Sequence, residues 1–215
     1  MGFFVSIEMK GSKQQSNCLI IAHLNNKSSI FQRWSYSIVQ WMGIVSARLL
    51  LKNSYKSITV CVATDASFQQ IQNKIAVLSQ NEPLDIILNV HGLPNGIFLY
   101  KNEFISIASF CALFHNHNLR LVYSTACYGK SHLQEWMKVN AQSAIGAEGI
   151  NGNALTEYPF FLYYWKKGCS ATKALQKASF KNINQLQDFI ARNILGFRNV
   201  NSSKSILGNA FLLKL

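Results

Sequence analysis

Five short apolar runs, separated by stretches with helical spacing, constrain this chain's fold most. They span residues 18–24, 58–63, 85–90, 119–126 and 143–147. The third and fourth have the length and β-branched content of buried parallel strands. Between the first two, residues 30–51 repeat apolar side chains at Phe31, Trp34, Ile38, Trp41, Val45 and Leu49. Asp65 is placed to cap a helix over 66–79, whose apolar face is Phe68, Ile71, Ile75 and Leu78. Strands alternating with helices imply right-handed crossovers and a parallel sheet between helical layers. The predicted fold class is therefore α/β: a three-layer α-β-α sandwich with a mostly parallel central sheet.

The remaining segments fill out that scheme. A short strand is expected at 3–7 within a polar lead-in, 1–17. Residues 96–106 read as a hairpin turning at Lys101-Asn102-Glu103. Helices are expected at 106–115, 131–139, 154–167 and 170–195, with a last strand at 210–213 in an irregular tail, 196–215. The 215 residues are read as one domain.

Composition narrows the function. No apolar stretch approaches the ~18 residues that span a bilayer, so no integral membrane segment is expected. Glu8 and Lys10 interrupt the apolar start too early for a secretory signal. Met1-Gly2 with Ser6 formally fits an N-myristoylation pattern, a loose one. The five cysteines form no CxxC pair, and Cys18, Cys61 and Cys111 fall on apolar strand or helix faces. That pattern argues for a cytoplasmic or other reducing compartment, against a disulfide framework and against a zinc site. The net charge is +12, but Lys and Arg are scattered in pairs such as Lys166-Lys167. It reads as general surface character, and a nucleic-acid partner is not expected. His115 and His117 share a polar turn without a third metal ligand.

The chemistry gathers at two strand ends. The third run delivers His91-Gly92, and the fourth delivers Cys127 with Gly129 beyond it. In open α/β sheets, functional groups collect beyond the carboxyl ends of the strands. A His and a Cys there can form a base–nucleophile pair. Thiolate attack needs a proton acceptor that later protonates the leaving amine, and one imidazole does both. The oxyanion needs backbone donors, for which the N–H groups of Gly92 and Cys127 are placed.

An apolar strand ending in His-Gly, a small hairpin, and a strand ending in Ala-Cys-x-Gly together resemble the caspase–gingipain–legumain clan of cysteine peptidases. Gly96-Ile97-Phe98-Leu99-Tyr100 with Phe104-Ile105 is similar to the clan's hairpin after the His. Ser143-Ala144-Ile145-Gly146-Ala147 is similar to its strand after the Cys. The aromatic run 160–165, then Gly168, Ala174-Leu175 and Ala178, resemble the paired helices of CHAT-type and clostripain-like members. The resemblance covers about residues 18–180. It implies a caspase-like fold, His91 as general base and acid, Cys127 as nucleophile, a polypeptide substrate, no cofactor and a regulatory protein partner.

Specificity is less legible. Many relatives carry an acidic residue or Gln two positions before the Cys, where this chain has Thr125. Relatives select Arg or Lys with an acidic pocket, or Asp with a basic one. Glu148 and Glu157 are candidates for an acidic pocket, and Lys27 and Arg33 for a basic one. His23 ends the first run and is placed to line the same cleft. Two other readings stay open: a catalytically silent scaffold of the same fold, and a degenerate P-loop. The second rests on Gly129-Lys130-Ser131 but has Ser124 where a P-loop needs glycine.

Overall fold

A computed structural model describes residues 8–10, 15–24 and 30–213. Its sheet is built from β1 (Glu8–Lys10), β2 (Asn17–His23), β3 (Ser57–Val62), β4 (Leu84–Leu93), β7 (Leu119–Ser124), β8 (Ser143–Ala147) and β9 (Lys204–Gly208). Two short strands, β5 (Gly96–Phe98) and β6 (Phe104–Ser106), continue from β4 as a small antiparallel extension. The main order is β1-β3-β2-β4-β7-β8-β9. The five central strands run parallel, and β1 and β9 close the edges antiparallel.

Among the described residues, seven α-helices connect them: α1 (Ile30–Leu51), α2 (Phe68–Ala76), α3 (Ile107–Ala112), α4 (Gly129–Lys138), α5 (Ala154–Lys166), α6 (Ala171–Ala178) and α7 (Lys181–Asn193). Side chains alternate across a strand, so each central strand serves both helical layers. Ile86, Leu88 and Val90 of β4 join Ile71, Phe110 and Trp136 on the α2–α3–α4 side. Ile87 joins Ile44, Phe161 and Trp165 on the α1–α5–α6 side. The three-layer architecture expected from the sequence is the one observed.

Several boundaries differ for tertiary reasons. The helix expected at 66–79 is a 3-10 turn, Ala63–Ala66, followed by the shorter α2 with Ser67 at its cap position. Asp65 instead pairs with Lys74 at 3.5 Å. The helix expected at 170–195 is two, α6 and α7, broken at Ser179-Phe180. The break lets Phe180 meet Phe160 edge-on at 4.9 Å between centroids. The last strand falls at β9, six residues before the expected 210–213, where it pairs with β8. The strand expected at 3–7 and the Met1-Gly2 motif lie outside the described residues. Cys18, Cys61 and Cys111 are buried, and burial pushes the Cys61 thiol up to about 12. His117 is buried against Phe114, not in an exposed turn.

Two features fix the strands that carry His91 and Cys127. Asp85 on β4 and Arg120 on β7 are fully buried and paired. Arg120 Nε donates to Asp85 Oδ1 at 2.8 Å, and the Tyr55 hydroxyl donates to Asp85 Oδ2 at 2.6 Å. Trp165 Nε1 donates in turn to the Tyr55 oxygen at 2.9 Å. The second feature is a glycine contact. A Cβ on Gly146 of β8 would lie 2.3 Å from the Gly129 carbonyl carbon at the start of α4. Gly146→Ala therefore forces α4 off the sheet. It is expected to cost about 1–3 kcal/mol, as overpacked sites do, and to alter the reactivity of Cys127. Urea denaturation tests this, and an unchanged midpoint would contradict the packing described.

Candidate active site

The strand bearing His91 runs further than its apolar core. β4 stays in register with β2 as far as His23↔Val90, then leaves the main sheet and pairs with β5 as His91↔Phe98 and Gly92↔Ile97. His91 thus stands at the carboxyl edge of the sheet. Cys127 lies beside it, on the turn between β7 and α4. The backbones touch: a Cβ on Gly92 would be 2.3 Å from the Cys127 carbonyl oxygen. Here glycine is required for close approach, not for a positive φ.

The turn at Cys127 is tightly held. Tyr128 takes the left-handed conformation, φ 57° and ψ 22°, unusual for a bulky residue and costly wherever it occurs. Its N–H donates to Gly149 O at 2.8 Å, and Gly129 N–H donates to Ala126 O at 3.2 Å. Among the described residues, no carbonyl accepts from the Cys127 N–H. On the neighbouring helix, His132 Nε2 donates to Leu93 O at 2.7 Å, and the Ser131 hydroxyl donates to Pro94 O at 2.6 Å. These bonds tie the helix after the cysteine to the strand that carries the histidine.

His91 is oriented from behind. Its Nε2 is 2.8 Å from Leu24 O. A carbonyl only accepts, so Nε2 carries the hydrogen and Nδ1 keeps the lone pair. Gln40 of α1 holds the same residue through the peptide before it, its Oε1 accepting from Leu24 N–H at 2.7 Å. The Tyr36 ring packs edge-on against the imidazole, 4.4 Å between centroids. Burial pulls His91 below the ordinary imidazole range, with the Leu24 carbonyl opposing. Burial pushes the Cys127 thiol up, against the Asn151 N–H, the Lys204 ammonium and the thiol's own N–H.

Both residues line one cleft of about 540 Å³. Tyr36, Ile38 and Val39 of α1 form one wall, and Leu93 and Phe98 form the floor beside His91. Ile150, Asn151 and Leu155 follow β8 on the opposite side, where Ile190 and Ala191 of α7 complete the wall with Phe197.

The sequence-expected substrate residues are elsewhere. Thr125 is buried, and its hydroxyl donates to Asn89 Oδ1 at 2.9 Å beneath the site. Glu148 accepts from Lys130 at 2.9 Å and from the Ser205 hydroxyl at 2.5 Å, outside the cleft. Glu157 is buried with Lys204 at 3.4 Å and the Tyr123 hydroxyl at 2.9 Å. His23 is buried edge-on to Tyr100 and does not line the cleft; burial and His91 lower it to about 4. Arg33 is exposed, and Lys27 lies outside the described residues. Lys130 and Ser131, the P-loop-like pair, are engaged with Glu148 and Pro94. Sequence reasoning missed Leu24, Tyr36 and Asn151, and it read His132 as capping or decorating a helix, where the structure buries it against Leu93 O. Asn151, in a Gly- and Asn-rich segment after a strand, is the one with a visible signal.

Among solved structures, 38 chains match this one. The crystal structure of the Drosophila initiator caspase Dronc matches over 95% of this chain and 83% of its own, with a TM-score of 0.50 and 11% identity. The fold is caspase-like. At that identity the caspase likeness extends to the fold alone. No family model and no curated protein matches the chain. Among the described residues, no helix is long and apolar enough to cross a membrane.

Proposed function

We propose that this caspase-like chain is a cysteine endopeptidase with His91 as base and Cys127 as nucleophile. One observation carries the reading. His91, on strand β4, and Cys127, on the turn after the adjacent strand β7, line one cleft, and the Leu24 carbonyl leaves His91 Nδ1 as the proton acceptor.

The chemistry follows from those groups. Cys127 Sγ adds to the scissile carbonyl carbon as its proton passes to His91 Nδ1. The carbonyl oxygen gains the electron pair and is met by the N–H groups of Cys127 and Gly92. The C–N bond then breaks, and His91 returns the proton to the departing amine. Water, deprotonated by the same imidazole, adds to the acyl-thioester. Its collapse releases the carboxylic acid and restores the thiol. No cofactor is needed.

The raised thiol and lowered imidazole act in one direction. Both favour a neutral thiol–imidazole pair at rest, so the proton moves during attack. Alkylation of Cys127 by iodoacetamide is therefore expected to rise with pH through neutrality and past the ordinary thiol range. A fast, flat rate from about pH 5 to 8 would reveal a preformed ion pair and contradict this. The reading as a whole is tested by incubating the chain with a fluorogenic peptide library. Cleavage by wild type that is lost in Cys127→Ala supports it; cleavage retained in the variant overturns it.

A further inference from the structure

The chemistry of the cleft walls points to a substrate class. Sequence reasoning expects a charged pocket, acidic or basic. Among the described residues that line the cleft, none is charged. Its polar groups are neutral, and Val39, Phe98, Ile150, Leu155, Ala191 and Phe197 line it together with Cys127.

Of the charged side chains next in sequence to lining residues, Arg198 beside Phe197 is exposed, and Asp188 and Arg192 are bonded to other groups. Asp188, one residue past the cleft-lining Gln187, accepts from the N–H and hydroxyl of Ser202. Arg192, next to Ala191, donates to Val200 O at 3.1 Å. Glu157 and Lys204 face each other in the core. Nothing described in the walls would compensate a buried charge on a substrate, and an unpaired buried charge is heavily disfavoured. Meanwhile Ile38 and Ile190, at the rim, are 41% and 36% exposed, apolar surface that a bound apolar group would cover.

We infer that the cleft receives a large uncharged apolar side chain, Leu-like or Phe-like, from the residue whose carbonyl Cys127 attacks. This rests on the peptidase reading. Cys127 lines the cleft, so the residue presenting its carbonyl there has this space for its side chain. Gln187 is the lining position where charge can be installed most simply. Its Oε1 accepts from the Thr156 hydroxyl at 2.9 Å, a bond that a carboxylate oxygen also accepts.

The test uses peptidyl acyloxymethyl ketones that differ only in the residue next to the electrophile: Leu, Phe, Arg, Lys, Asp or Glu. Sγ displaces the carboxylate leaving group and forms a thioether, so labelling reports binding beside Cys127 even where turnover is slow. Matching fluorogenic peptides report cleavage. Leu and Phe are expected to exceed Arg and Asp by at least about 100-fold in both rates. Gln187→Glu is expected to narrow the gap between Leu and Arg by about tenfold while leaving Asp disfavoured. Equal rates across the series, or a preference for a charged residue, with dependence on Cys127 retained, overturn the inference and leave the peptidase reading standing. Neither labelling nor cleavage by any member of the series overturns both. If Gln187→Glu fails to fold, the wild-type ranking alone decides.

Discussion

Cys127→Ala is expected to abolish peptide cleavage, and His91→Ala to lower kcat/KM by about 10²–10⁴-fold. The two differ because their roles differ. Alanine at 127 has no atom to carry the acyl group, so no intermediate forms. Alanine at 91 leaves the thiol, which can still ionise in bulk solvent at a small fraction of encounters. Because burial pushes that thiol up, the residual activity of His91→Ala is expected to climb with pH beyond the wild-type optimum. Steady-state rates across pH check this. A His91→Ala variant as active as wild type would remove the imidazole from the mechanism.

The largest expected effect on stability lies under the site, at Arg120. Its partner Asp85 is fully buried, and Arg120→Met would leave that carboxylate with the Tyr55 hydroxyl alone. Removing one member of a buried ion pair costs about 3–5 kcal/mol, because the other charge stays uncompensated. The double variant Asp85→Leu/Arg120→Met is expected to recover much of that loss. Apolar replacement of a whole buried pair is often neutral or better. Urea denaturation of the two variants beside wild type separates the cases. A single variant within about 1 kcal/mol of wild type would show that the pair is not compensating charge. The strands concerned are β4, which carries His91, and β7, which leads into the turn at Cys127, so Cys127 labelling is expected to fall with the stability.

The sequence made the sheet legible because its central strands are buried on both faces. Such strands read as continuous apolar runs, and 143–147 matches β8 at both ends. The predicted helix 30–51 matches α1 likewise. What failed was decided by contacts between distant residues. No Pro or Gly marks the break at Ser179-Phe180; it depends on Phe160 from another helix. β9 is a half-buried edge strand with little apolar signal, ordered by pairing with β8. Of the candidate site, the positions of His91 and Cys127 were readable because each follows an apolar run that forms a central strand. The acidic residues were misread because scarcity in a sequence says nothing about partners. Glu148 is engaged by Lys130 and Ser205, and Glu157 by Lys204 and Tyr123. Thr125 was misread because alternation turns its side chain inward, towards Asn89.

The acceptor that orients His91 is a peptide oxygen, and this has a genetic consequence. Every amino acid placed at 24 supplies that oxygen, so no codon encodes it and no substitution there deletes it. A saturation scan is expected to find little tolerance at 91, at 127 and at the close-packed Gly92, and to accept at 24 whatever the neighbouring core can pack. The trace of that acceptor would surface at Gln40, whose amide oxygen holds Leu24 by its N–H, one peptide before the oxygen that faces His91. Selection on this arrangement would act on a position that never faces the reacting atoms.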